Sequence, residues 1–216
     1  MLTVLYQDKI LEENREYWSN RAPGYSEVNR LELFTPQRRI WKNCLRDEIS
    51  RQFPGRAPGE LHVLDVGTGP GFFAILLREL GYHVTAVDLT PAMLREAKEN
   101  AGPLADGIRY MEMNAEDLDF PDGSFDAVIS RNLTWNLAHP DRAYAEWTRV
   151  LAPGGLLLNF DANWYAYLFD DAAQAAYAQD RANSAEKGVW DQNVGENFDV
   201  MEDIARRMPL SNIRRP

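Results

Sequence analysis

Val63-Leu64-Asp65-Val66-Gly67-Thr68-Gly69-Pro70-Gly71 is the stretch that decides the fold of this chain. A β-branched and apolar run ends in an acid, three glycines follow at alternate positions, and Phe72 to Leu80 is apolar again. That order reads as a strand, a tight turn and a helix start. A turn with so few side chains lets a ligand lie against bare backbone at the positive end of a helix dipole. From Gly69 the turn also satisfies the loose pattern G-x-G-x-x-A of dinucleotide sites, which alone is a weak signal.

Downstream of the turn, strands and helices alternate. Leu61–Val66 reads as a strand and Gly71–Leu80 as a helix closed by Gly81, with Tyr82–Val87 a second strand. Thr90-Pro91 opens a helix to about Asn100, and Ile108–Met113 is a third strand. After the turn Pro121-Asp122-Gly123 comes a fourth strand, Phe125–Ser130, and then a helix over Pro140–Leu151. The turn Pro153-Gly154-Gly155 precedes a fifth strand, Leu156–Phe160. This alternation predicts an α/β fold: a Rossmann-like, doubly wound, mostly parallel sheet with helices on both faces. Ligands of such sheets bind beyond the carboxyl ends of the strands, near the switch point.

Upstream, residues 5–30 read as a polar helix followed by a loop, with aromatics at Tyr6, Tyr17, Trp18 and Tyr25 and Arg21 among them. A second, amphipathic helix is expected from Pro36 to about Gln52, with Thr35 as its N-cap. Residues 53–60, rich in Pro and Gly, read as a linker. Beyond Asp161, helices are expected over Asp170 to Lys187 and Gly195 to Met208.

The 216 residues suit one domain with a substantial core. A formal net charge of -10 argues against a nucleic-acid or anionic-membrane partner, for which a basic face is expected. Paired arginines at 38/39, 206/207 and 214/215 read as solvated helix faces. Cys44 is the single cysteine, so it forms no intrachain disulfide or cysteine-cluster metal site, and its apolar-periodic setting predicts a buried structural thiol. No signal peptide or transmembrane-length apolar run is legible, which predicts a cytoplasmic protein.

Two acids sharpen the ligand. Asp88 ends the second strand about twenty residues past the turn, where a carboxylate can take both hydroxyls of a ribose. Asp65 ends the first strand, where an acid facing the cleft suits a ligand bearing positive charge and an amino group and would repel a pyrophosphate. The balance moves from NAD to S-adenosylmethionine.

Asp65-Val-Gly67-Thr-Gly69-Pro-Gly71 resembles the glycine loop of class I S-adenosylmethionine-dependent methyltransferases. The resemblance continues through Val87-Asp88-Leu-Thr-Pro-Ala-Met93-Leu, through residues 113–126 (MNAEDLDFPDGSFD), and through Arg149-Val-Leu-Ala-Pro153-Gly154-Gly155. These motifs cover roughly residues 60–161 in the family's order. The resemblance implies that Asp65, Gly67, Thr68 and Gly69 hold the methionine portion and that Asp88 takes the ribose. It further implies that Leu89 packs on the adenine, while Asn114 accepts from its amino group where many members carry Asp. Ala115 offers a backbone N–H to the ring, and Arg131 and Asn132 line the methionine end. Met93 is read as core. A family fold of seven strands leaves this chain without the last two.

The domains expected are a helical lid over 1–35, a cofactor-binding core over 36–161, and a helical C-terminal segment over 162–216 that caps the substrate. Candidate catalytic groups are His139, Tyr25 and Asp161, with Trp135, Trp164 and Tyr165 also leaving carboxyl ends of strands. His139 is the best base by residue type, although it directly precedes Pro140 at a helix entry. No Asn-Pro-Pro-Tyr motif and no basic face for RNA is present. The expected activity is methyl transfer from S-adenosylmethionine to a small molecule, with a homodimer possible, no metal, and an unpaired last strand as an edge. Alternatives are a cofactor-binding protein that transfers no methyl group, and an NAD-dependent oxidoreductase.

Overall fold

The structure, a computed structural model, describes residues 2–186 and 198–207. Two compact units emerge: one of residues 18–131 and 141–160, the other containing 2–17, 132–140 and the described residues beyond 160. The division differs from the expected three domains, since residues 18–35 belong with the sheet and 132–140 do not.

The first unit is built on five parallel strands, β1 (His62–Val66), β2 (His83–Asp88), β3 (Ile108–Glu112), β4 (Phe125–Arg131) and β5 (Leu151–Phe160), in the order β3-β2-β1-β4-β5. The chain runs outward through β2 and β3, then returns to pair β4 with β1. The switch point therefore falls between β1 and β4, and the glycine turn leaves β1 there. Along β1 only His62 is exposed, as expected for a parallel strand covered on both faces.

The helices are α1 (Leu2–Leu33), α2 (Pro36–Gln52), α3 (Phe72–Glu79), α4 (Pro91–Ala101), α5 (Pro140–Val150), α6 (Asp171–Glu186) and α7 (Phe198–Arg207). Thr35 caps α2 by accepting the Gln37 N–H, with Pro36 in the first turn, as its sequence predicted. Leu45 and Ile49 of α2 and residues 72–77 of α3 pack with Val63, Val84, Ala86, Ala127 and Ile129 of the sheet. Trp41, Phe73 and Phe160 close this core edge to face, with ring centroids 5.1 to 5.7 Å apart.

Three expectations are corrected. The loop expected to follow a helix within residues 5–30 is absent: α1 runs through Pro23 to Leu33. Ala22, Ser26 and Asn29, at helical spacing, are all buried, and that packing outweighs the roughly 3 kcal/mol a proline costs inside a helix. β5 begins at Leu151 rather than Leu156, because Leu151 pairs with Phe125 before the register jumps to Leu156 opposite Ala127. The Pro153–Gly155 turn is thus an irregularity within the strand, with Gly154 at φ 77°. Cys44 is half-buried rather than buried, and its thiol is pushed up by burial and by the carboxylates of Glu48 and Asp47, which disfavours a nucleophilic thiolate. The arginine pair 214/215 lies outside the described residues.

Candidate functional site

The glycine turn is held by its own backbone. Thr68 N–H donates to Val87 O at 2.9 Å and Gly71 N–H to Thr68 O at 3.0 Å. Gly67, Gly69 and Gly71 all take positive φ, at 66°, 53° and 91°. Gly71 has a second reason to be glycine: a Cβ there would stand 3.0 Å from Ala97 Cβ and 3.2 Å from Ala97 Cα on α4.

Asp65, 2% exposed, sits beneath this turn. Thr68 Oγ1 donates to its Oδ2 at 2.6 Å, and the Ala74 backbone N–H also bonds to it. Gly71, the N-cap of α3, has no side chain to offer. Asp65 therefore supplies from the neighbouring strand the acceptor that a capping Ser or Asp would otherwise provide. Burial pushes its carboxyl up to about 7, against the Thr68 and Ala74 bonds; Asp88 adds to the rise and Arg131 opposes it.

Asp88 stands at the end of β2. Its Oδ2 accepts the Gly69 N–H at 2.9 Å, while Oδ1 accepts the Thr90 N–H at 2.9 Å and Thr90 Oγ1 at 2.7 Å. Burial raises this carboxyl too, despite those bonds. Two raised carboxyls therefore flank one glycine turn at the ends of adjacent parallel strands. Such a pair gains from any ligand that brings positive charge or hydroxyl donors and is strained further by an anion. The Gly69 N–H, which a pyrophosphate would seek, already serves Asp88.

Leu89, half-buried, follows Asp88. Past β3, Asn114 Oδ1 accepts the Glu116 N–H at 3.0 Å, so one side of the carbonyl expected to face an adenine holds its own loop. Ala115 is buried, and its carbonyl accepts Trp147 Nε1 at 2.9 Å. Glu146 accepts the Leu118 N–H, and Arg149 donates to Leu118 O, Phe120 O, Asp122 and Glu146. Two motifs that the sequence placed about thirty residues apart are thus one hydrogen-bonded unit. Arg149 lay within a quoted motif, yet its partners were not legible.

α1 reaches the turn as well. The Tyr25 ring lies 3.7 Å from where a Gly69 Cβ would stand, and 5.4 Å from Trp18 between centroids. Asn100 Nδ2 donates to both Ser26 Oγ and Pro70 O at 3.0 Å. Arg131 donates to Glu32 through Nη2 at 2.7 Å and Nη1 at 3.1 Å. Ser26, Glu32 and Asn100 were missed because their spacing carries no local signal.

The second unit holds the remaining sequence candidates. Asn132 is the one non-glycine described residue at positive φ, 58°. Asp161 Oδ2 accepts Thr134 N–H at 2.7 Å, Thr134 Oγ1 at 2.5 Å and Trp135 N–H at 3.3 Å, while Oδ1 accepts the Ala162 N–H. Asp161 thus holds the start of the short helical turn Thr134–Asn136. The Trp135 and Tyr165 rings are tilted by 41° with centroids 4.9 Å apart, Tyr165 and Tyr167 by 36° at 5.9 Å, and Tyr167 lies parallel to Tyr177 at 4.0 Å. Trp164 is exposed. Asn14 Nδ2 donates to Asn136 O at 3.0 Å. His139 is half-buried just ahead of α5.

Against known proteins, residues 64–159 match the family described as Methyltransferase domain. The demethylmenaquinone methyltransferase of Thermus thermophilus is 37% identical over 65% of this chain and 62% of its own length. The ubiquinone/menaquinone biosynthesis C-methyltransferase of Brucella anthropi is 30% identical over 82% of this chain and 79% of that protein. The chain belongs to the class I S-adenosylmethionine-dependent methyltransferases. A candidate S-adenosyl-L-methionine-dependent methyltransferase from Methanococcus maripaludis superposes with a TM-score of 0.57 at 22% identity, over 87% of this chain and 84% of that one, which supports the methyltransferase fold. The chain spans about three fifths of the length of the first two curated relatives, 62% and 58%. Among the described residues of this methyltransferase, no helix is long and apolar enough to cross a membrane.

Proposed function

We propose that this chain binds S-adenosylmethionine in the glycine turn and methylates a ring carbon of a quinol-like small molecule. The observation that carries the cofactor reading is the pair of raised carboxyls, Asp65 buried and Asp88 half-buried, on either side of a turn of bare backbone. A ligand with an ammonium group, a sulfonium charge and two ribose hydroxyls relieves both; a dinucleotide can offer its ribose to Asp88 but brings a pyrophosphate and no cation towards Asp65. In this reading Asp88 takes the ribose, Asp65 faces the amino-acid end, and Leu89, Asn114 and Ala115 border the base. The bound cofactor supplies an activated methyl group on sulfur. Thr68 and the Ala74 N–H keep Asp65 oriented, and Asn100 keeps the turn fixed against α1, so that little reorganisation accompanies transfer.

The acceptor class is taken from the relatives, whose names specify quinones and methylation at carbon. Transfer forms a carbon–carbon bond as the carbon–sulfur bond breaks, with the electron pair retained on sulfur. The ring then loses a proton to a base, for which His139 is the candidate. Incubation with methyl-labelled S-adenosylmethionine and a reduced demethylated naphthoquinone tests this. Label is expected on the ring; a protein that binds S-adenosylhomocysteine yet labels no quinol would overturn the acceptor assignment.

A further inference from the structure

Arg131 lies at the end of β4, beside the switch point, and its guanidinium is caged. The ring centroids of Phe72, Trp41 and Phe73 stand 4.7, 5.0 and 5.5 Å from its central carbon. With rings over the guanidinium, an anion reaches it along the N–H edge. That edge carries the two-pronged pair with Glu32, and each side chain keeps only about a fifth of its surface exposed. Phe72 is the first residue of α3, so the Glu32 carboxylate is held beside the helix start that follows the glycine turn. The same stretch of α1 touches the turn twice more, through Tyr25 at Gly69 and through Ser26 and Asn100 at Pro70. The residues around Glu32 at the end of α1 face solvent, Leu31 at 62% and Phe34 at 89% exposure.

We infer that Arg131 is a carboxylate subsite for which Glu32 and the amino-acid carboxylate of the cofactor compete. The inference rests on the proposed binding of S-adenosylmethionine at the turn. Both claimants are carboxylates, and a planar fork accepts one of them bidentately at a time. Cofactor entry at this end exchanges one ion pair for another and frees the last turn of α1. Glu32 thereby sets affinity for ligands that carry the amino-acid group and leaves untouched those that lack it.

Calorimetry with S-adenosylhomocysteine and with 5′-methylthioadenosine, which has no amino-acid group, separates the possibilities. Glu32→Gln is expected to tighten S-adenosylhomocysteine about tenfold, equivalent to about 1.4 kcal/mol, with 5′-methylthioadenosine unchanged within about twofold. Glu32→Asp, which keeps the charge but shortens its reach, should give a smaller gain of the same sign. In an Arg131→Gln background the gain from Glu32→Gln should vanish. A Glu32→Gln protein that binds S-adenosylhomocysteine more weakly, or that changes both ligands alike, would make Glu32 a strut and overturn the competition. A wild-type chain that binds neither ligand would instead overturn the cofactor reading beneath it.

Discussion

Gly71→Ala separates what the glycine turn needs from what a ligand needs. Two costs are readable. At φ 91° an alanine is strained by roughly 1–2 kcal/mol. Its methyl would also stand 3.0 Å from Ala97 Cβ and 3.2 Å from Ala97 Cα, closer than packed carbons tolerate. Ala97 is wholly buried on α4, between buried Met93, Leu94 and Ala101, so the helix cannot back away freely. Overpacking of this kind costs roughly 1–3 kcal/mol. The sum, about 3 kcal/mol, should lower the melting temperature of a chain this size by about 6–12 °C. Gly55→Ala is the control: φ is 82° but no atom lies within 4 Å of the added methyl, so only the strain of about 1–2 kcal/mol should appear. Thermal and urea unfolding of Gly71→Ala, Ala97→Gly and the double variant complete the cycle. A favourable coupling of about 1–3 kcal/mol between 71 and 97 is expected. Equal losses at 71 and 55 together with an additive double variant would refute the packing argument.

Asp65 makes cofactor affinity depend on pH. Its carboxyl is raised to about 7, so without ligand the folded chain holds that proton where the unfolded chain has lost it. Stability from this group therefore falls as pH climbs from the ordinary aspartate range towards 7. The ammonium group of the ligand favours the ionised form, so S-adenosylhomocysteine affinity should rise about tenfold from pH 6 to pH 8 in calorimetry, and Asp65→Asn should flatten that rise. Asp88→Ala should weaken the same ligand by about ten- to a hundredfold, since one or two charged hydrogen bonds of about 1.5–3 kcal/mol are lost. The Gly69 and Thr90 donors left behind should also lower the melting temperature of the ligand-free variant, and undiminished affinity would remove Asp88 from the ribose site. Glu146 runs the other way. Its bond with Arg149 holds its carboxyl at about 2, so the stability it contributes is complete above the usual glutamate range and is lost as pH falls through 2. Wild type and Glu146→Gln should therefore differ most at neutral pH and converge in acid unfolding experiments.

The sheet was legible because each parallel strand is a short apolar run bounded by turn residues, as in Val63–Val66 before Gly67 and Phe125–Ser130 after Gly123. The parallel direction of the strands followed from the alternation with helices. A proline inside α1, Pro23, disfavours helix by local propensity, while the burial of Ala22, Ser26 and Asn29 that overrides it is tertiary. The site was legible in its residue types and not in its bonds. Asp65 announced itself as an acid at a strand end, but its capping of α3 depends on Gly71 having no side chain. Glu32 pairs with Arg131 across ninety-nine positions, and no period or motif links them. Asp161, an acid beyond a strand end, was open to a catalytic or a capping role from its position, and its bonds to Thr134 and Trp135 supply the cap.

Ligand-dependent unfolding tests the central claim most directly. S-adenosylmethionine, S-adenosylhomocysteine and NAD are compared at matched concentrations by thermal shift. A ligand present at about a hundred times its dissociation constant adds about 2.7 kcal/mol, which for a chain of this length is about 5–11 °C. The two sulfur nucleosides should stabilise the protein to that extent while NAD leaves it unchanged. Stabilisation by NAD, with none from S-adenosylhomocysteine, would contradict the assignment of Asp65 and Asp88 to a cationic nucleoside.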